Sequence, residues 1–394
     1  MSRIIVSLTS YPARIKKIFN VLDSIMAQTY KPDKILLYLA QEQFAGKELP
    51  VDLSGYIVGG LEIHWCQEDM KSHKKYLYAF QEYPDDYIIT IDDDFYYEEH
   101  MIEELVYYRD KFPGCVLARR THLITAERDG SISPYEMWWG ECQHYIGVPR
   151  MDLLATTGGG ALYAPHLIGT EVFNTNNIRK YCMYADDIWL KVMELIGGVP
   201  VVQVPTRLLD RSDTVFSQDG LYQRYNGNGG NDRQFQAVLE VYDNINESEL
   251  TLTKKLFSTG TVYREEAFQK QKEDNFNMVQ EWLNRICQGG DIVIYGAGTV
   301  AKRIYGLLKT YKADDKIRCF AVEDISKNAA AIEGINVIQY KEADYINTVC
   351  IIALANLEDQ CRVKEKLLGI GLNEDAIMLI SSRLNWALLD FEKV

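Results

Sequence analysis

An α/β protein built from two successive sheets is the fold that this sequence predicts, on three observations. Short apolar runs alternate with helical patterns up to about residue 245, a polar stretch without a period follows, and a strand, glycine turn and helix restart at Asp291. A length of 394 residues exceeds one ordinary core. The expected division is 1–245 as a sheet flanked by helices, 246–289 as a linker with a docking helix, and 290–394 as a smaller βαβ domain.

In chain order, Ile4–Leu8 has the length and composition of a strand, and Ile15–Ala27 carries a helical pattern. The alternation of short apolar runs with helical patterns continues through Ile35–Leu39, Leu61–Trp65, Tyr76–Phe80, Tyr87–Ile91, Met101–Tyr108 and Val116–Ala118. Helices between strands imply parallel crossovers, and ligands of such sheets gather at the strands' carboxyl ends. "TTGGGALYAP" (156–165), a helix over Asp186–Ile196 and a strand over Val199–Val204 complete the first part, while "RYNGNGGNDRQ" (224–234) reads as a mobile loop. Arg264–Cys287 carries a helical apolar stripe led by Phe268, Phe276, Met278, Val279, Trp282 and Leu283, suited to docking on a domain. Beyond it, "DIVIYGAGTVAKRIYGLL" gives strand, turn and helix, and "IRCFAVED", "TVCIIALA" and "AIMLI" give further strands.

The composition, 47% hydrophobic and 25% charged, is that of an ordinary soluble protein, with no apolar run long enough for a transmembrane segment. The amino terminus, "MSRIIVSLTSYPAR", turns polar too early for a signal peptide, so a cytoplasmic location is expected. A formal charge of −14 repels phosphate backbones and argues against nucleic acid as a partner. Local basic spots such as Lys71, Lys74 and Lys75 could still hold one small polyanion. The eight cysteines are scattered and lack any C-x-x-C pair, which predicts free thiols.

The chemistry concentrates in "YIITIDDDFYYEEH" (87–100), where an apolar strand runs into three carboxylates. If the strand alternation continues, Asp92 and Asp94 share a face and Asp93 points back. Two carboxylates there suit a divalent cation that grips a diphosphate. An acidic turn leading into a helix, with Glu98 and Glu99 favouring its amino-terminal dipole, accounts for the same residues. In "YADDIWLKVMEL", Asp186 and Asp187 either cap a helix or act on substrate. Gly158, Gly159 and Gly160 would let backbone approach a ligand closely. Trp138 and Trp139 either offer a flat face to a sugar or fill a core.

"IIVSLTSYPARI", "IITIDDD", "TTGGGALYAP" and "YADDIWL" occur in an order that resembles metal-dependent nucleotide-sugar glycosyltransferases of the GT-A fold, most similar to bacterial enzymes of surface-polysaccharide synthesis. The resemblance covers about residues 1–245. It implies a GT-A-type mixed sheet flanked by helices and hexosyl transfer from a nucleotide-diphosphate sugar, a UDP-sugar by analogy, with Mn2+ or Mg2+. It implies a glycan or glycolipid acceptor, and peripheral contact with the inner face of the membrane. Carried over, Asp94 ligates the metal with Asp92, Asp92 also meets the nucleoside, and Asp93 is ambiguous because the triplet aligns in two ways. Thr9 and Tyr11 would lie near the base, Arg14 near base or phosphate, and Lys75 near phosphate. Asp187, with Asp186 beside it, would take the acceptor proton; Trp138, Trp139, Gly159 and Gly160 would meet the acceptor. All six histidines precede residue 167, a departure from members with a late histidine ligand, so Asn231, Asp232 or water would replace it.

In the second part, Gly296, Gly298 and Ala301 match G-x-G-x-x-A after a strand, with Glu323 and Asp324 ending the next strand. That pattern suits NAD(P) and makes an NAD(P)-dependent oxidoreductase or nucleotide-binding protein the alternative reading. It also resembles small Rossmann-like modules that accompany sugar-modifying proteins. With about ninety residues and no catalytic constellation, a structural or oligomerising role, as in a homo-oligomer, is favoured over a bound cofactor.

Overall fold

The computed structural model describes residues 2–205, 221–245, 250–355 and 357–391. They form two compact units, one ending at Phe268 and the other beginning at Gln269.

The first unit's strands are β1 (Ile4–Thr9), β2 (Lys34–Ala40), β3 (Leu61–Cys66), β4 (Tyr87–Ile91), β5 (Val116–Ala118), β6 (Thr121–Leu123), β7 (Leu153–Ala155), β8 (Gly159–Tyr163) and β9 (Val201–Gln203). Among the described residues, seven form one sheet in the order β3-β2-β1-β4-β8-β5-β9, and β6 pairs with β7 apart from it. Only β8 runs against its neighbours, antiparallel to β4 and to β5, so the sheet is mixed. Its central strands are nearly continuous apolar runs because helices cover both faces.

Those helices are α1 (Phe19–Met26), α2 (Ser54–Val58), α3 (Lys74–Glu82), α4 (Met101–Arg109), α5 (Thr175–Tyr181), α6 (Asp186–Gly197), α7 (Gly230–Ile245) and α8 (Leu252–Leu256). Val21, Leu22 and Ile25 of α1 and Ile102 and Leu105 of α4 share one core with Val6, Leu8 and Ile89. Leu77 of α3, Trp189 of α6 and Val238 of α7 share another with Val116, Ala161 and Tyr163. The strand order steps outward from β1 to β3 and then returns to place β4 on the other side of β1. That reversal opens a crevice at the carboxyl ends of β1 and β4. Ser10 lies on one lip and Asp92–Asp94 on the other.

Two expectations change. The Gly/Asn-rich stretch is ordered: Tyr222–Asn226 forms a π-turn and α7 begins at Gly230. The polar stretch expected as a linker contains α8, whose Leu252 and Leu256 are buried in the first unit's core together with Val262 and Ala267; residues 246–249 lie outside the described ones.

The helix α9 (Arg264–Gln288) spans the division between units. Its Met278, Val279, Leu283 and Ile286 are buried in the second unit's core, whereas Phe268 and Phe276 are about half exposed, unlike the other members of the expected stripe. The second unit's strands are β10 (Asp291–Tyr295), β11 (Ile317–Val322), β12 (Ala331–Ile332), β13 (Ile335–Gln339), β14 (Thr348–Ile352) and β15 (Ile377–Leu379), in the order β12-β13-β11-β10-β14-β15. All pair in parallel except β12 with β13. Helices α10 (Thr299–Thr310), α11 (Leu357–Gly369) and α12 (Ser382–Phe391) complete the unit. No helix among the described residues is long and apolar enough to cross a membrane, and all eight cysteines are free thiols.

Candidate active site

The carboxylate triplet sits just past the end of β4, where the chain turns at Asp93 and Asp94. The turn breaks the period-two alternation, so the expected pairing of Asp92 with Asp94 on one face gives way to a different partition. Asp93 and Asp94 share the Arg14 guanidinium, whose Nη1 lies 3.0 Å from Asp93 Oδ1 and 2.7 Å from Asp94 Oδ2. Ser10 Oγ also donates to Asp93 Oδ2 at 2.5 Å. Asp92 instead faces α3, with Lys75 Nζ 2.5 Å from its Oδ1.

Lys75 is 1% exposed and its ammonium also lies 3.0 Å from Asp186 Oδ2. Burial works against its charge, but Asp186, Asp92 and Asp187 outweigh burial and raise its pKa. One buried cation therefore joins the triplet to the acidic pair at the start of α6.

The two halves of that pair are driven apart. Burial disfavours the Asp186 charge, yet Lys75 and then His73 overcome it and lower its pKa. Burial and then the adjacent Asp186 charge push Asp187 up to about 7, only partly offset by Lys75 and Thr157. The Thr157 amide donates to Asp187 Oδ1 at 2.8 Å, and its hydroxyl lies 2.5 Å from that oxygen and 2.8 Å from Asp186 Oδ2. Both contacts fall on Oδ1; among the described residues Oδ2 has no hydrogen bond. Two neighbouring carboxylates thus have separate states near neutral pH, one ionised and one poised to accept a proton.

Asp94 resembles Asp187 electrically: burial first, then the Asp92 charge, raise it to about 7 against the pull of Arg14. Burial raises Asp93 as well, more than Arg14 and Ser10 lower it. Asp92, Asp93, Asp94, Asp186 and Asp187 thus crowd around two cations, Lys75 and Arg14, and an added positive charge would relieve them. Among the described residues no group of three or more His, Cys, Asp or Glu side chains is arranged to hold a metal ion on its own. Although Asp92 and Asp94 lean on different cations, Asp94 feels the Asp92 charge, and two such neighbouring carboxylates are the oxygen donors that a hard divalent ion takes when it completes its shell with water and substrate phosphate.

Gly158 fixes the floor. A Cβ there would sit 2.0 Å from Asp92 Oδ2, so only glycine lets this carboxylate lie against the backbone. The Tyr97 hydroxyl clamps the same point, 2.5 Å from the Gly158 carbonyl and 2.9 Å from the Asp92 amide.

Of the other expected residues, Thr9 turns its hydroxyl back onto the Tyr38 carbonyl at 2.8 Å, and the Tyr11 ring lies 5.6 Å from the Arg14 guanidinium. Trp138 and Trp139 are 6% and 1% exposed and belong to the core, so neither offers the expected flat face to an acceptor. Trp138 Nε1 donates to the Ser133 carbonyl at 2.8 Å. Gly159 and Gly160 pack closely: added Cβ atoms would lie 2.5 Å from Arg120 Cβ and 2.9 Å from Met101 Sδ. Asn231 is buried, and Asp232 accepts from the Tyr135 amide at 2.7 Å. In the second unit, Gly296 has φ +116° and lies under the Ala353 carbonyl, Gly298 precedes α10, and Glu323 is engaged by Lys366 at 2.5 Å.

Ser10, His73, Thr157 and Tyr97 were not anticipated. Thr157, Ser10 and Tyr97 had a signal, since they lie within "TTGGGALYAP", "IIVSLTSYPARI" and "YIITIDDDFYYEEH"; His73 lies within none of these.

No family model matches the chain, and no curated protein matches it. Among solved structures it is similar to S. aureus TarS 1–349 in complex with UDP-GlcNAc, at 14% identity and TM-score 0.41 over 66% of this chain and 71% of that one. It is also similar to the mannosyltransferase PcManGT from Pyrobaculum calidifontis in complex with GDP-Man and Mn2+, at 12% identity and TM-score 0.38 over 79% of each chain.

Proposed function

We propose that the first unit is a metal-dependent glycosyltransferase that moves a hexosyl group from a nucleotide-diphosphate sugar, a UDP-sugar in the first instance, to a glycan or glycolipid hydroxyl. The observation that carries this reading is the Lys75 bridge, which sets a triplet suited to a cation and diphosphate beside a split carboxylate pair suited to proton transfer. Asp94 with Asp92 would hold Mn2+ or Mg2+. Bound there, the ion supplies positive charge against the leaving diphosphate. Arg14 and Tyr11 line the donor side from the end of β1. Asp187 takes the acceptor proton through Oδ2, while Thr157 fixes its Oδ1 and Lys75 keeps Asp186 ionised beside it. Surface-polysaccharide synthesis at the cytoplasmic face of the membrane is the setting this chemistry suits.

Incubation with a panel of nucleotide-diphosphate sugars and Mn2+ or Mg2+ tests the reading. Release of nucleoside diphosphate is expected with at least one donor, and its loss in Asp94→Asn. Absence of release with every donor, or full release by the variant, overturns it.

A further inference from the structure

The segment from Leu221 to Asp232 is bonded to Tyr184, three residues before Asp187, and to Tyr135, which feels the Asp187 charge, and it carries aromatic rings that the donor chemistry leaves unused. Tyr222–Asn226 is wound as a π-turn, a rare geometry that is frequent at functional sites. Asn226 Nδ2 donates to the Tyr184 carbonyl at 2.8 Å and the Tyr184 amide donates to Gln234 Oε1 at 3.0 Å, tying the turn to the residues just before the acidic pair. A Cβ at Gly230 would meet the Tyr225 carbonyl oxygen at 1.8 Å, so glycine allows α7 to start directly against the turn. These ties lay the Tyr225 ring on the Tyr184 ring, centroids 3.9 Å apart and planes within 5°.

Asp232 holds the Tyr135 amide, and Tyr135 feels the Asp187 charge, as Tyr222 feels Glu136 and Asp232. Tyr222 and Tyr225 remain 48% and 43% exposed. A rigid ring with one face packed and much of its surface open is a platform for the C–H face of a pyranose, whose slightly positive hydrogens meet the negative face of the ring. Lys71, the cation beside both Tyr184 and Tyr225, is already bonded to Asp69, which favours a neutral sugar over an anionic one.

We propose that the Tyr184–Tyr225 stack, with Tyr222 beside it, is the acceptor-sugar subsite: a neutral pyranose lies on the open face of Tyr225 and turns a hydroxyl toward Asp187. The role given to Asp187 rests on the glycosyl-transfer reading, whereas binding of a saccharide to the stack does not.

Saturation-transfer NMR with methyl pyranosides of the common neutral hexoses, on the full chain without donor, tests it. Transfer to ring C–H protons of at least one pyranoside is expected for the wild type, for Tyr225→Phe, and for Tyr107→Ala, an exposed tyrosine on α4 used as control. Tyr225→Ala is expected to weaken that binding about tenfold. Should it not fold, as judged by its thermal melt, Tyr222→Ala reads the same subsite with an expected loss of about threefold. No transfer to any pyranoside in the wild type, or wild-type affinity in the alanine variants, overturns the proposal. Saccharide binding without nucleoside diphosphate release from any donor counts against glycosyl transfer and leaves the subsite standing.

Discussion

Removing or titrating the Asp187 carboxylate gives the sharpest reading of the site. Burial and the Asp186 charge raise its pKa to about 7, so the group is protonated and idle below that pH and ionised above it. At pH 7 about half of the molecules carry the base in its active form, and at pH 5 about 1%, so transfer should fall roughly 50-fold between them. The measurement is kcat/KM for nucleoside diphosphate release with acceptor present, from pH 5 to 9, with donor and divalent ion saturating. Saturation matters because Asp94 is raised to a similar value; with the ion bound it is held ionised, leaving Asp187 as the group that titrates. Asp187→Asn should lose about 10² to 10⁴ in rate and the rising limb with it. A limb centred near pH 4, or one that persists in the asparagine variant, refutes the assignment.

Thr157→Val removes the hydroxyl that favours ionised Asp187, so the same limb should move to higher pH while the Thr157 amide contact remains; an unmoved limb would separate the two residues. Lys75→Met leaves Asp92 and Asp186 facing each other without their shared cation, and urea unfolding should report a loss of about 3–5 kcal/mol, against no loss if the lysine were merely solvated. Gly158→Ala drives a methyl group into Asp92 Oδ2, so calorimetric affinity for nucleoside diphosphate with Mn2+ should drop by about tenfold or more, and wild-type affinity would show that Asp92 is not needed where it lies. Trp139→Ala should cost about 3–5 kcal/mol of stability without a selective rise in acceptor KM; the reverse pattern would return Trp139 to the acceptor site.

The parts of the fold legible in the sequence are those where burial writes itself into a contiguous run. Ile4–Thr9 and Tyr87–Ile91 are strands because both sheet faces are covered, and apolar runs of that length admit few other readings. Their adjacency was not legible, since it depends on the chain returning across β1 after β3. Local pattern also misjudged Asp92–Asp94, because alternation applies only while the strand lasts and the chain turns after Ile91. Trp138 and Trp139 show the complementary error: a tryptophan pair in a polar loop reads as a sugar platform, yet large rings yield most when buried, and both are. Exposed rings were instead found at Tyr225, in a stretch whose glycines and asparagines read as a mobile loop, and at Tyr222 just before it. The same glycines permit the close approach of Gly230 to the Tyr225 carbonyl, so composition that signals a loop can equally signal a tight turn.

Lys75 joins these threads. Singly, a lysine in "KSHKKYLYAF" has no better claim than its two neighbours, and only the fold decides which ammonium lies between two carboxylates separated by 94 residues of chain. An isolated buried ammonium would shed its proton, and isolated buried carboxylates would take one up. Held together, Lys75 and Asp186 stay charged, while burial and then the charge of a neighbouring carboxylate raise Asp94 and Asp187 to about 7. Burial first, and then the charge of the carboxylate beside each, poises those two carboxyls, so a second positive neighbour for Asp186 should lower Asp187 and one for Asp92 should lower Asp94.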